Sequence, residues 1–424
     1  MLSAAELLSG LVGIPSVNPL LPGAAPQDDE RAVAAFLAGH LRDEGVAVEL
    51  QEVKDGRCNV VARIDRAGAA DDAIVMLTGH MDTYPAGGPH AGYRAVVEDG
   101  MLYGRGSADA KGVLAAMTTA FLTAARSPHR RETYLVATLD EECLMLGVKA
   151  LAALEVAPTL AITGEPSNLV PVVAQKGIVR GSWRVSGPAA HAAYPTEKTA
   201  ITEAARLVEA VGVLNRRYAE GPAAAMLGAP TMTVTRIQSD GGMNLAAREV
   251  IVWFDGRFLP EPATPRPAPS GAALPEAGLP EAARAEAARA EAARAEAPAE
   301  AAPAEAAGWA FARQVDRDLR ALTDVDFVMD ELTFVSPPNA ADVDTPLVAE
   351  FLGHVREVAG RCEPEGFSYG SEAGVLATFA DAALVFGPGD ARFSHAWEEG
   401  VPLAELDAAT EIFRRLLTPS PLEN

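Results

Sequence analysis

The sequence predicts an α/β fold: a main domain with a mostly parallel sheet and helices on both faces, interrupted by an inserted α+β domain. Three observations carry this prediction. Short, fully apolar segments such as AIVMLTG and LAITG alternate with helical stretches up to about residue 175, as buried parallel strands do. From Lys176 the texture changes to longer runs in which polar and apolar residues alternate, IVRGSWRVSG first. After Pro337 the first texture resumes. The domains are therefore expected at 1–175 with 337–424, and at 176–336.

In chain order, residues 3–13 and 29–44 read as amphipathic helices, the second with Val33, Phe36, Leu37, His40 and Leu41 near helical spacing. IPSVNPLLPG between them is rich in turn residues. VAVELQEV, NVVARID and AIVMLTG read as strands. Residues 110–126 form a helix of good helix formers. TYLVATL is a strand, 145–154 a helix and LAITG a strand. In the inserted part, a strand at IVRGSWRVSG precedes a helix at 199–217. Strands TMTVTRIQS and EVIVWFDGRF, a helix near 309–322 and strand DFVMDELTF follow. This order is that of a small antiparallel sheet carrying two helices. The last part gives helices at 344–359 and 372–380, strand AALVFG and a helix at 403–417.

Residues 261–308 fit neither domain. The stretch 260–308 holds nine prolines, and EAARA begins at Glu281, Glu286 and Glu291. Glu281–Arg284, Glu286–Arg289 and Glu291–Arg294 are pairs that stabilise a solvated helix. No side chain larger than alanine lies between them to be buried. The segment reads as a low-complexity insertion: a linker, then a single helix over 281–297 that Pro298 and Pro303 end.

Composition bounds the function. The chain has 424 residues, 49% hydrophobic and 22% charged, enough for a sizeable core. Its net charge of −23 argues against nucleic acid and anionic membranes as partners. Cys58, Cys143 and Cys362 are widely spaced and form neither a metal pair nor a disulfide framework. No apolar run is long enough to span a membrane, and MLSAAELLSGLVGIPS lacks the basic start of a signal peptide. A cytoplasmic location is expected.

The chemistry-bearing residues gather at strand ends. AIVMLTG runs into His80 and Asp82, TYLVATLD into Glu141 and Glu142, LAITG into Glu165, and AALVFGPGD leads to His395. Asp109 stands on the glycine-rich turn GRGSAD ahead of a helix. Open α/β sheets place their sites beyond the carboxyl ends of strands, so these residues are expected at one edge. Imidazoles mixed with carboxylates suit zinc, cobalt or manganese better than magnesium or calcium. Five ligands exceed one tetrahedral ion and fit two ions that share a carboxylate. Asp109, on a tight turn, is the candidate bridge. Asp82 is placed to orient the His80 ring, and Glu141 to act as general base. His40, His90, His129 and His354 lack such context. The Cys143 sulfur could ligate, but Glu142 beside it already serves.

These motifs resemble a known family, the co-catalytic zinc deacylases and exopeptidases that include acetylornithine deacetylase, succinyl-diaminopimelate desuccinylase, aminoacylase and glutamate carboxypeptidase. LVGIPSVNP, GHMDT, YGRGSADAKG, DEE, GEPS and GPGDARFSH occur in that family's order and spacing, and the resemblance covers the chain outside about 261–308. It implies that His80 and Glu165 hold one metal ion and Glu142 and His395 the other, with Asp109 bridging and Glu141 as base. It implies a cis peptide bond at Asp109–Ala110. SGPAAHAAYP resembles the segment whose histidine, here His191, stabilises an oxyanion in a partner subunit's site, so the inserted domain would serve as lid and dimerisation domain of a homodimer. Asn244 and Arg257 match the family's substrate-contacting asparagine and arginine. CLML after DEE departs from the small residues usual there.

SYGSEAGVL and FGPGDARFSHAWEEGVPLAEL look closest to the acetylornithine deacetylase branch. Glu372 would then face a cationic substrate group, or else be an acid at a helix N-terminus. The implied function is metal-dependent removal of an acyl group from an N-acyl amino acid, by attack of a water acidified between the ions. Hydrolysis of a short peptide (a dipeptidase or carboxypeptidase), desuccinylation, and binding without catalysis are the alternatives.

Overall fold

The computed structural model describes the chain apart from residues 26–27, 69, 87–92, 195–196, 222, 261–302, 362 and 420–424. It divides into two compact units: Met1–Gln175 with Asn339–Asn424, and Lys176–Pro338.

Helix α1 (Ala4–Val12) opens on a capping box between Ser3 and Glu6 and buries Leu7, Leu8, Leu11 and Val12. Helix α2 (Arg31–Asp43) buries Val33, Leu37 and Leu41 at helical spacing. Strands β1 (Val48–Lys54), β2 (Arg57–Ile64) and β3 (Ile74–His80) follow, then a small hairpin of β4 (Val96–Glu98) and β5 (Met101–Tyr103). Helix α3 (Lys111–Ala125) is buried almost throughout and packs against α1 and β3. Strand β6 (Glu132–Thr138), helix α4 (Leu146–Ala150), strand β7 (Leu160–Thr163) and strand β8 (Val172–Gln175) complete this piece. The helix expected over 145–154 is one α-helical turn followed by a 3₁₀ turn at Leu151–Leu154.

The second unit contains β9 (Gly177–Ser186), α5 (Ala200–Glu220), β10 (Thr231–Ser239), β11 (Glu249–Phe258), α6 (Pro303–Arg320) and β12 (Phe327–Ser336). Its antiparallel sheet runs β10-β11-β9-β12. The strict alternation of β11 puts Val250, Val252, Phe254 and Phe258 inside with Trp183, whose indole stacks on Phe254 at 4.2 Å. Two expectations for 261–308 are affected. The helix expected over 281–297 lies outside the described residues. Pro303 starts helix α6, where a first-turn proline lacks only an N–H that has no partner there. Gly308 is buried, and a Cβ there would come within 2.3 Å of Val335. The folded unit thus extends to residues assigned to the insertion.

The chain returns to the first unit with β13 (Asn339–Ala340), α7 (Pro346–Ala359), β14 (Glu365–Phe367), α8 (Ala373–Leu376), β15 (Ala383–Val385), β16 (Gly400–Pro402) and α9 (Leu403–Leu417). Among the described residues the main sheet runs β1-β2-β6-β3-β7-β15-β8-β13, with β14 also paired to β8. Its centre, β6-β3-β7-β15, is parallel; β2 and β8 border it antiparallel. The parallel centre is buried almost throughout and carries the candidate site at its carboxyl ends. Among the described residues, no helix is long and apolar enough to cross a membrane.

Arg131, at the start of β6, is buried. It pairs with Asp71 at 2.6 Å and Glu350 at 2.8 Å and donates to the Leu416 carbonyl at 2.6 Å. It ties the sheet to α7 and α9. Arg131→Leu strands two carboxylates that had shared one cation. Both carboxylates keep access to water, so the variant is expected to lose about 1–3 kcal/mol of stability, read as a lower urea midpoint.

Candidate metal centre

His80 is the last residue of β3, and its ring is buried. Nδ1 lies 2.9 Å from the Asp82 carbonyl and 3.5 Å from Asp82 Oδ1. These contacts suit Nδ1 as a donor to Asp82 and leave Nε2, which faces Asp109, as the nitrogen that a cation would take in place of a proton. Nε2 is 3.0 Å from Asp109 Oδ1 and 3.9 Å from Glu165 Oε1. Burial opposes protonation of the ring, but contact with Asp109 and Asp82 holds its pKa well above the usual histidine value.

Asp82 does more than orient that ring. Oδ1 accepts the Glu141 N–H and Oδ2 the Glu142 N–H, each at 3.1 Å. Oδ2 also accepts from Asn18 Nδ2 at 2.8 Å. Asn18 Nδ2 donates to Asp140 Oδ1 as well, at 2.9 Å. Asp140, with φ of 63°, turns the chain so that Glu141 and Glu142 follow a left-handed step. Arg57 and Glu30 back this turn: they pair at 2.5 Å, and Glu30 accepts the Asp140 N–H at 3.2 Å. In sequence Asn18 reads as a turn residue before proline. Its Oδ1 accepts the Leu20 N–H at 3.0 Å, as in such a turn, and only the long-range contacts show its second use.

Asp109 is presented by the turn GRGSAD. Gly106 has φ of +83°, and a Cβ there would meet Thr83 at 2.8 Å, so only glycine fits. The turn is fixed from outside by Glu399, which is fully buried. Its carboxylate accepts from Gly106 N–H at 2.9 Å, Ala108 and Asp109 N–H at 3.0 Å and Arg105 Nη1 at 2.7 Å. Glu399 escapes a reading from the sequence because it sits in an acidic pair, WEEG, that looks solvated. Lys111, one step into α3, is buried too. Its ammonium donates to the Leu11 and Ile14 carbonyls at 3.0 and 2.8 Å, and burial lowers its pKa to about 7. The Asp109–Ala110 peptide bond is cis.

Asp109 Oδ2 lies 3.4 Å from His395 Nε2. The same nitrogen is 2.9 Å from Glu142 Oε2. His395 stands beyond β15, after a 3₁₀ turn at Ala391–Phe393, in a left-handed conformation with φ of 58°. Glu165 stands two residues beyond β7 and is buried; its Oε1 has no hydrogen-bond partner among the described residues. Single donor atoms of His80, Glu141 and Glu165 lie within 4.8 Å of one another, as do those of His80, Asp109 and Glu142. Burial pushes the Glu141, Glu142 and Glu165 carboxyls well above their usual pKa, with neighbouring carboxylates adding to the rise. Two imidazoles and four crowded acids, one with an orphaned oxygen, form a donor set that divalent cations would satisfy.

Glu372 departs from its expected place. It is fully buried, and Oε2 accepts from Thr78 Oγ1 at 3.0 Å and Thr163 Oγ1 at 3.2 Å, side chains of β3 and β7. With no exposed surface it does not present a carboxylate to a substrate cation. It precedes α8, so the helix-terminal reading describes its place, although α8 is only four residues long.

Three expected residues belong to the second unit. His191 is exposed, its Nδ1 accepts the Ala193 N–H at 3.1 Å, and it forms a β-bridge to Leu245. Ala192 N–H donates to the carbonyl of Asn244 at 2.9 Å, so His191 and Asn244 stand on adjoining segments. A pocket of about 250 Å³ there is lined by His191, Tyr194, Thr199 and Leu245. Arg257, on β11, pairs with Asp255 through two contacts of 2.5 and 3.0 Å.

Comparison with known proteins places this geometry. Residues of the acetylornithine deacetylase of Yersinia pseudotuberculosis serotype O:1b (strain IP 31758) are 34% identical over 197 positions, 45% of this chain and 50% of that protein. The chain thus spans about half the length of the deacetylases it matches. Among solved structures, an M20 family metallo-carboxypeptidase from Sulfolobus solfataricus superposes with a TM-score of 0.68 at 16% identity, over 100% of both chains. Aminopeptidase PepT from Bacillus cereus ATCC 10987 gives 0.66 at 18% identity, over 98% of this chain and 97% of that one. At these identities the superpositions speak for the fold alone. The family description that matches residues 76–418 takes in the candidate site from His80 to His395, and the chain belongs to the peptidase family M20/M25/M40.

Proposed function

We propose that this chain is a hydrolase that uses two divalent ions, zinc or cobalt, to remove the acyl group from an N-acyl amino acid. The observation that carries the reading is the position of Asp109. One of its oxygens faces His80 at 3.0 Å and the other faces His395 at 3.4 Å. His80 with Glu165 would hold one ion and Glu142 with His395 the other, Asp109 being shared. Bound there, the ions would supply Lewis-acid polarisation of the amide carbonyl and acidify the attacking water.

The protein groups supply the rest. Glu141 shares the space of His80 and Glu165, and burial raises its affinity for a proton, the direction that suits a general base. It takes a proton from water as the water oxygen bonds to the carbonyl carbon. It then gives that proton to the nitrogen as the C–N bond breaks. The products are a carboxylic acid and a free amino acid. Asp82, through the Glu141 and Glu142 amides, keeps the base and a ligand in register. His191 as an oxyanion donor, Asn244 and Arg257 as substrate contacts, and a cytoplasmic homodimer complete the proposal. The motif resemblance supports these parts.

Acyl release is preferred to peptide cleavage because the 34% identical relative is an acetylornithine deacetylase. Acetate and ornithine release from N-acetyl-ornithine, set beside a dipeptide panel with zinc or cobalt supplied, tests it. Faster turnover of the acetyl substrate is expected, abolished by chelation and restored by metal. Preferential cleavage of dipeptides would move the assignment to peptidase. A chain that binds two ions yet hydrolyses neither class would be a binder.

A further inference from the structure

The two histidines of the centre are held differently. The His80 side chain is 1% exposed and braced through Nδ1 by Asp82. The His395 side chain is 41% exposed, stands on a short irregular loop, and meets Glu142 and Asp109 through Nε2. A ligand histidine is ordinarily oriented by a hydrogen bond at its second nitrogen. A ring face also packs against His395. Tyr84 stacks on His395 with centroids 3.7 Å apart and planes 27° from parallel.

The tyrosine stands on fixed backbone. Thr83, just before it, donates its N–H to the Ser16 carbonyl at 2.9 Å, and its carbonyl accepts the Asn18 N–H at 3.0 Å. Val17 and Thr83 thereby form a parallel bridge. The N-terminal segment thus anchors the strand end from which the Tyr84 ring reaches across to a loop more than three hundred positions further along the chain. A flat ring against one face of His395 removes rotation about χ2 and leaves Nε2 directed at Glu142.

We infer that Tyr84 is a positioning residue for the ion held by Glu142 and His395, and not for the ion held by His80 and Glu165. The inference rests on the ligand assignment above. It makes the two ions unequal in their dependence on a residue outside the ligand set.

The test is titration of the metal-free full chain with cobalt, followed by calorimetry and visible absorption. The unaltered protein should take up two ions. Tyr84→Phe keeps the ring and should match it within about twofold. Tyr84→Leu should weaken one binding constant roughly two- to tenfold and leave the other unchanged, the range expected for one aromatic pair. In a His395→Ala background, which should retain one ion, Tyr84→Leu should have no further effect. Equal constants in Tyr84→Leu and the unaltered chain would overturn the inference. So would parallel weakening of both constants, or a loss in Tyr84→Phe equal to that in Tyr84→Leu. Fewer than two ions in the unaltered chain would overturn the two-ion reading and this inference with it. Thermal unfolding of each metal-free variant checks folding, and Tyr84→Val replaces the leucine variant if that one does not fold.

Discussion

Glu141→Gln is expected to bind two ions as the unaltered chain does and to lose turnover by about 10²–10⁴-fold, the usual contribution of a positioned general base. The amide keeps the shape of the side chain and the Glu141 N–H bond to Asp82, so the turn carrying Glu142 should stay in place. What is lost is the ability to accept a proton in a buried, acid-crowded position. The check is kcat on the best substrate beside metal content per chain. Retained metal with near-normal kcat would remove Glu141 from the base role. Lost metal would make it a ligand, a role that its closeness to His80 and Glu165 would also permit.

Asp109→Ala is expected to do more damage, because its two oxygens face different halves of the centre. A variant lacking any other single ligand should keep one ion. This one should weaken both, with activity down by at least about three orders of magnitude for loss of the metal contribution. The turn itself should persist, since Glu399 holds it through the Gly106, Ala108 and Asp109 amides and not through the Asp109 side chain. Circular dichroism matching the unaltered protein, with metal uptake reduced at both sites, is the expected pair of results. Full loss of one ion with unchanged affinity for the other would place Asp109 on one side only.

Much of this architecture is visible in the residues. The parallel centre of the sheet is legible because β3, β6 and β7 are short apolar runs that end at chemistry-bearing residues. The second unit is legible because β9, β10 and β11 are long enough for alternation to show. What escapes is short. β8, β13, β14 and β16 have two to four residues each, too few for a period to appear, and they exist because the main sheet and the hairpin offer them an edge. The ligand set is readable since His, Asp and Glu at strand ends carry their own meaning. The support around it is less so. Asn18, Glu399 and Tyr84 act across separations of tens to hundreds of residues, and nothing in their local sequence marks them. Glu372 is also placed by distant residues: the resemblance suggests a substrate contact, while the threonines of two neighbouring strands donate to one of its buried carboxylate oxygens.

The central claim is a two-ion centre divided by Asp109, and diffraction at the cobalt edge from crystals of the cobalt-loaded chain tests it most directly. The account predicts two anomalous peaks about 3.5–4 Å apart, one beside His80 and Glu165, the other beside Glu142 and His395, with Asp109 between them. A single peak, or a pair with Asp109 to one side, would contradict it.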